Sequence, residues 1–121
     1  MTTQSTTTFS RGAIVLVPFQ FTDQPVFKNR PAIVVSSDEY HGGRREVIIA
    51  AVTSRIREPL LVGDHRIERW RDSGLPKPSV VTAIIRTVKA AMITRRLGAL
   101  PANDLRDFDA KLAPVLGFRS R

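Results

Sequence analysis

Apolar residues in this chain gather first in short β-branched runs and later, near the C-terminus, at helical spacing. Ala13 to Phe19 is rich in large apolar side chains, follows the Arg11-Gly12 breaker and closes beside Pro18, which predicts a first strand. The polar stretch from Gln20 to Asn29, with Thr22, Asp23, Gln24 and Pro25, reads as a solvent-facing loop. Pro31 to Ser36 is a second β-branched run, and Ser37 to Arg45, containing His41-Gly42-Gly43, reads as another loop. Glu46 to Val52 is apolar almost without alternation, which predicts a third strand, buried on both faces and central in its sheet.

Arg57 to Pro78 is irregular, punctuated by Pro59, Gly63, Gly74, Pro76 and Pro78, with room for a short strand at His65 to Glu68. Ser79 to Ile85 and Met92 to Leu97, separated by a turn around Lys89, bring the expected strands to five or six. Leu105, Phe108, Leu112, Val115 and Leu116 then recur three or four residues apart, on one face of a helix starting near Pro101. Pro is favourable at a first helical position, whereas Pro114 should kink or end the helix in its last turn. The pattern predicts a mainly β fold with some α: a small, strongly bent sheet closed by a C-terminal helix. One domain over residues 11–121 follows a polar, Thr-rich leader, Met1 to Ser10, expected to be disordered.

A length of 121 residues suits one domain with one core, and 42% hydrophobic with 25% charged residues is ordinary for a globular protein. The absence of Cys excludes disulfides and thiolate sites, and two histidines, His41 and His65, give a metal almost no ligands, so neither metal nor cofactor is expected. The longest apolar runs fall far short of the ~18 to 20 residues of a membrane-spanning helix, and the leader lacks the apolar core of a secretory signal. A cytoplasmic protein is expected. Nineteen Lys and Arg against eleven Asp and Glu give a formal charge of +8 and a pI near 11.3. Such a field attracts polyanions, and most of the cations are Arg, whose planar fork suits bidentate phosphate contacts. Nucleic acid is therefore the leading partner class.

Six stretches in order carry a resemblance to a known family. RGAIVLVPFQFTD (Arg11 to Asp23), RPAIVVSSDEY (Arg30 to Tyr40) and IIAAVTS (Ile48 to Ser54) are followed by GLPKPSVV (Gly74 to Val81), IRTV (Ile85 to Val88) and RRLGAL (Arg95 to Leu100). Together they resemble the MazF/PemK toxins of type II toxin–antitoxin pairs, over nearly the whole chain after the leader. The resemblance implies a small SH3-like β-barrel of the PemK/CcdB type with a C-terminal helix. It also implies a homodimer that cleaves single-stranded RNA at specific sequences without metal, leaving a 2′,3′-cyclic phosphate and a 5′-hydroxyl, and that a cognate acidic antitoxin silences. Carried over residue by residue, it makes Arg30 and Thr53 the catalytic pair, with Ser54 and Arg86 as RNA contacts.

These residue types suit that chemistry. Cleavage without metal needs the 2′-hydroxyl to attack the adjacent phosphate, and fixed donors must meet the charge that develops. A guanidinium reaches two phosphate oxygens at once, and a Thr held on a strand adds a short neutral donor. Arg30 therefore clamps and stabilises charge, while Thr53 orients. A histidine can act as acid or base near neutral pH, but one in a polar loop is most often simply exposed, so His41 stays outside the catalytic set. Ala83 and Ile84 stand where family members often carry an acidic residue and a Gln, and Ala13 where the opening motif usually has Asp. Two other readings compete: a nucleic-acid-binding module on the same fold that cuts nothing, and a relative that poisons DNA gyrase through protein contacts. The latter needs exposed apolar anchors near the C-terminus, where Gly117 to Arg121 offers one aromatic, Phe118.

Overall fold

The computed structural model describes residues 9–20 and 28–118. In chain order come β1 (Ala13–Phe19), β2 (Lys28–Val34), α1 (Asp38–Gly42), β3 (Glu46–Thr53), β4 (His65–Arg66), β5 (Val80–Lys89), β6 (Arg95–Ala99) and α2 (Ala102–Val115). The strands form one six-stranded antiparallel sheet in the order β4-β5-β3-β2-β1-β6, curled into a half-barrel. β3 is central, as its unbroken apolar run predicts, with Ile49, Ala50 and Ala51 fully buried. The leader up to residue 8 and the loop at 21–27 lie outside the described residues. Phe9 already packs against the sheet.

Several boundaries differ from the sequence pattern, each for a physical reason. Ser37 to Arg45 is not all loop: Ser37 caps α1 by accepting the Tyr40 N–H at 3.2 Å, and Asp38 and Glu39 complement the dipole of its first turn. β2 starts three residues early, because Lys28, Asn29 and Arg30 pair with β1 although they are polar. β5 runs on to Lys89, so the expected turn becomes a 3-10 turn at Ala90–Met92 and β6 begins at Arg95. Helix α2 buries Phe108 and Leu112 but leaves Val115 and Leu116, at the end that contains Pro114, 40% and 52% exposed.

The two faces of the sheet bury separate clusters. On one, Ile14, Ile33, Ala50, Val52 and Val81 pack against Phe108 and Leu112 of α2 and against Ile67 and Leu75 of the irregular segment. On the other, Val15, Val17, Phe19, Ala32, Val34, Val47, Ile49 and Ala51 pack against Ile84, Val88 and Ile93 as the sheet bends over itself. A bulge in β5 assists the bend, three of its residues facing Ala51 alone. The Thr82 hydroxyl donates to the Ala51 carbonyl at 2.9 Å and accepts the Ile84 N–H at 3.1 Å, replacing part of the interrupted ladder. At the β6 edge, Gly98 meets Gly74 backbone to backbone; a Cβ on either would overlap the other segment's carbonyl, and Gly74 also holds φ +84°.

A buried polar knot ties α2 to the sheet. Asp104, 2% exposed, accepts the backbone N–H groups of Glu68 at 3.0 Å and Arg69 at 3.2 Å, and lies 2.7 Å from His65 Nε2. Lys111 Nζ sits 3.0 Å from His65 Nδ1. Lys can only donate there, so Nδ1 accepts and Nε2 carries the proton that His65 gives to Asp104. Burial works against the charged carboxylate, but these donors outweigh it and hold Asp104 below the usual carboxylate range.

Candidate active site

Strand alternation assigns Arg30 to the face that carries Ala32 and Val34 on β2, and Thr53 to the face that carries Val47, Ile49 and Ala51 on β3. It is the same face, turned away from α2. The β2–β3 ladder pairs Val34 with Ile49 and Ala32 with Ala51 and ends there, so Arg30 and Thr53 each lie two residues beyond its last pair, on the same face. On its other side Arg30 is paired with Val17 of β1. Thr53 Oγ1 accepts the Arg55 N–H at 3.1 Å, which fixes the hydroxyl oxygen and leaves its proton to donate.

Arg86 joins this face from across the half-barrel. It pairs with Ile49 on β3, and its Cζ lies 5.5 Å from the centroid of the Phe19 ring. Strands β3 and β2 separate β5 from β1 in the sheet, so this contact exists only because the sheet curls. Arg86 is exposed and donates to the Ile85 carbonyl at 3.0 Å, leaving most of its donors facing outward. Ser54 is exposed just past the end of β3, and the register does not bring it to Arg30. Of the four residues singled out from sequence, three therefore share one face and Ser54 stands at its edge.

The two substituted positions split between the faces. Ala83 packs against the α2-side cluster, while Ile84 packs on the Arg30 side and offers no polar group there. His41, expected to be exposed in a loop, is instead in α1 with its side chain 6% exposed, because Ser36 Oγ lies 2.5 Å from Nε2 and draws the ring inward.

A sequence model of the family described as PemK-like, MazF-like toxin of type II toxin-antitoxin system matches residues 10–116. This chain belongs to that family. Endoribonuclease MazF6 of Mycobacterium tuberculosis is 36% identical over 92 residues, 74% of this chain and 79% of its own length. An endoribonuclease from a mycobacterial species, solved with its cognate antitoxin, superposes with a TM-score of 0.77 at 16% identity, over 94% of this chain and 100% of that one. A chain of the MazE-MazF structure (Form-III) from Deinococcus radiodurans gives 0.70 at 25% identity, over 91% and 97%. The PemK/MazF fold expected from the motifs is the fold observed.

Sequence reasoning missed two features of this PemK/MazF-like toxin. The His65–Asp104 pair joins residues 39 positions apart, and nothing local marks either as buried. Leu61, Val62, Val115, Leu116 and Phe118 are all exposed, so the C-terminal region offers more apolar surface than Phe118 alone. Among the described residues no helix is long and apolar enough to cross a membrane.

Proposed function

We propose that this toxin is an endoribonuclease that cuts single-stranded RNA by a metal-independent route, with Arg30 and Thr53 acting on the same phosphate. The observation that supports this reading is the β2–β3 register, which leaves Arg30 and Thr53 on one face, each two residues beyond the Ala32–Ala51 pair, with the Thr53 hydroxyl already anchored by the Arg55 N–H. The substrate's own 2′-hydroxyl gives its proton to water as it attacks the neighbouring phosphorus, the 5′-oxygen leaves and takes a proton from water, and a 2′,3′-cyclic phosphate and a 5′-hydroxyl result. Arg30 meets the charge growing on the non-bridging oxygens, and the Thr53 hydroxyl donates to one of them. Arg86 binds a flanking phosphate, and Ser54 contacts RNA at the edge of the site. The working form is a homodimer, and an acidic antitoxin silences it; relatives of similar fold are described with a cognate antitoxin or as MazE-MazF.

Ile84 favours a second reading, a module that binds RNA without cutting it, because an apolar side chain fills a place on the Arg30 face where a polar one would assist proton transfer. Incubating the protein and its Arg30→Ala variant with a long single-stranded RNA in EDTA, then mapping the product ends, separates the two. The ribonuclease gives discrete cuts ending in cyclic phosphates, slowed about 100- to 1,000-fold in the variant; RNA that is bound but intact supports the module.

A further inference from the structure

A second concentration of charge lies beside the candidate active site: Arg44, Arg45 and Lys89 stand at the Glu46 end of β3, away from Thr53, and Arg95 and Arg96 stand on β6 opposite Leu16 and Val15. A cavity of about 1470 Å³ opens between the segment before β1, the α1–β3 junction and the link from β5 to β6. Arg44, Arg45, Lys89, Arg95 and Arg96 line it and are all exposed. Arg11 also lines it but is held by Asp109, and among the described lining residues Glu46 is the only acid.

His41 supplies an independent sign that this cavity takes an anion. Ser36 Oγ accepts the Ile48 N–H at 2.9 Å, so its own proton is directed at His41 Nε2, 2.5 Å away. This assignment leaves the ring proton on Nδ1. The His41 side chain is 6% exposed and lines the cavity, yet Nδ1 has no hydrogen-bond partner among the described residues; Asp38 Oδ1 stands 3.9 Å off. A buried N–H without an acceptor is costly, and an anionic oxygen entering the cavity relieves it.

The kind of anion follows from where the cavity lies. Along β3, Thr53 and Glu46 are seven residues apart, roughly 23 Å, but along β5 only three residues, roughly 10 Å, separate Arg86 from Lys89. Cations thus continue from the candidate active site to the cavity without a long neutral gap. A single small anion would use one guanidinium, whereas a polyanion already held at Arg30 uses the whole series. The apolar lining includes Phe9, Ala13, Val47, Ala90 and Ile93; Phe9 is half-buried against the sheet, so the exposed groups that meet a ligand are mainly cations, which suit phosphates.

We infer that this cavity is a second RNA site, which holds a flank of the substrate strand by its phosphates, irrespective of sequence, while another stretch lies at Arg30 and Thr53. The inference rests on the ribonuclease reading for the identity of its ligand. It makes the cavity a determinant of affinity for long RNA that leaves the rate of cutting alone.

The test uses Arg44→Ala/Arg45→Ala and Arg95→Ala/Arg96→Ala double variants, checked for wild-type circular dichroism and mass in solution. Each is assayed on a 20-nucleotide and a 6-nucleotide RNA sharing the mapped cut site. The expected result is a KM for the longer RNA raised about tenfold with kcat unchanged, and no change on the shorter one. Affinity for a 20-mer blocked by a 2′-deoxy residue at the cut should depend less steeply on salt, by roughly 0.7 in slope for each phosphate that is no longer neutralised. Equal effects on both lengths, or none, overturn the inference, as does a changed mass, which would mark an interface between copies. Intact RNA affinity with abolished binding of polyglutamate also overturns it, assigning the cavity to an acidic protein. Should the wild type cut nothing, the ribonuclease reading falls, while the blocked 20-mer still decides the cavity.

Discussion

The two faces of the curled sheet treat their polar groups in opposite ways. Beneath α2, Asp104 accepts from two backbone N–H groups and from His65, and Lys111 completes the chain, so the buried polar side chains of this knot are paired within the fold. On the other face the Thr53 hydroxyl keeps its proton to give, and Arg86 lies over Phe19 with most of its donors outward. A satisfied network stabilises, whereas one left with donors to spare is prepared for a ligand. Substitutions on the two faces should therefore separate cleanly into losses of stability and losses of activity.

The largest effect is expected from Arg30→Ala. Removing one charge-stabilising donor should lower kcat about 100- to 1,000-fold, while the melting temperature stays near that of the wild type. If stability fell as far as activity, the division between the faces would fail. Next comes Asp104→Asn, which offers an NH2 group to N–H donors and breaks the charged bond to His65. A loss of about 2 kcal/mol, measured by urea unfolding, is expected, with kcat of the remaining folded protein unchanged.

The same carboxylate sets a pH dependence. Its pKa is held below the usual range in the folded state, so its contribution to stability is complete above the unfolded value near 3.9 and is lost as pH falls through the lower folded value. Unfolding curves between about pH 5 and pH 2 should show an acid limb that Asp104→Asn flattens. The smallest effect is expected from Arg86→Ala, a rise in KM of about three- to tenfold as one phosphate goes without its cation, with little change in kcat. A kcat loss as large as that of Arg30→Ala would move Arg86 into the reacting centre.

Much of this was legible in the sequence, and what was hidden is hidden for physical reasons. β1 and β3 follow directly from their β-branched runs, because strands buried on both faces need no alternation to declare themselves. The start of β2 does not, since Lys28, Asn29 and Arg30 are polar and are in a strand only through their pairing with β1. Helix α1 depends on one cap at Ser37 in a segment whose two glycines read as loop. Val115 and Leu116 fit the helical stripe but stand exposed at its C-terminal end, where the spacing alone does not tell a buried position from an open one. The motifs pointed to Arg30 and Thr53 one at a time, yet their place on one face, just beyond the last β2–β3 pair, depends on a register between two strands, which no local pattern carries. Asp104 reads as an ordinary surface acid of a helix until β4 and the Glu68–Arg69 backbone fold onto it.

The central claim is that Arg30 and Thr53 act together on one phosphate, and a double-mutant cycle on the single-turnover cleavage rate tests it most directly. Groups that serve one transition state lose little more when both are removed than when the more important one is. The double variant Arg30→Ala/Thr53→Ala should therefore cut about as slowly as Arg30→Ala alone. Losses that multiply fully would place the two residues in separate steps and contradict the site described here.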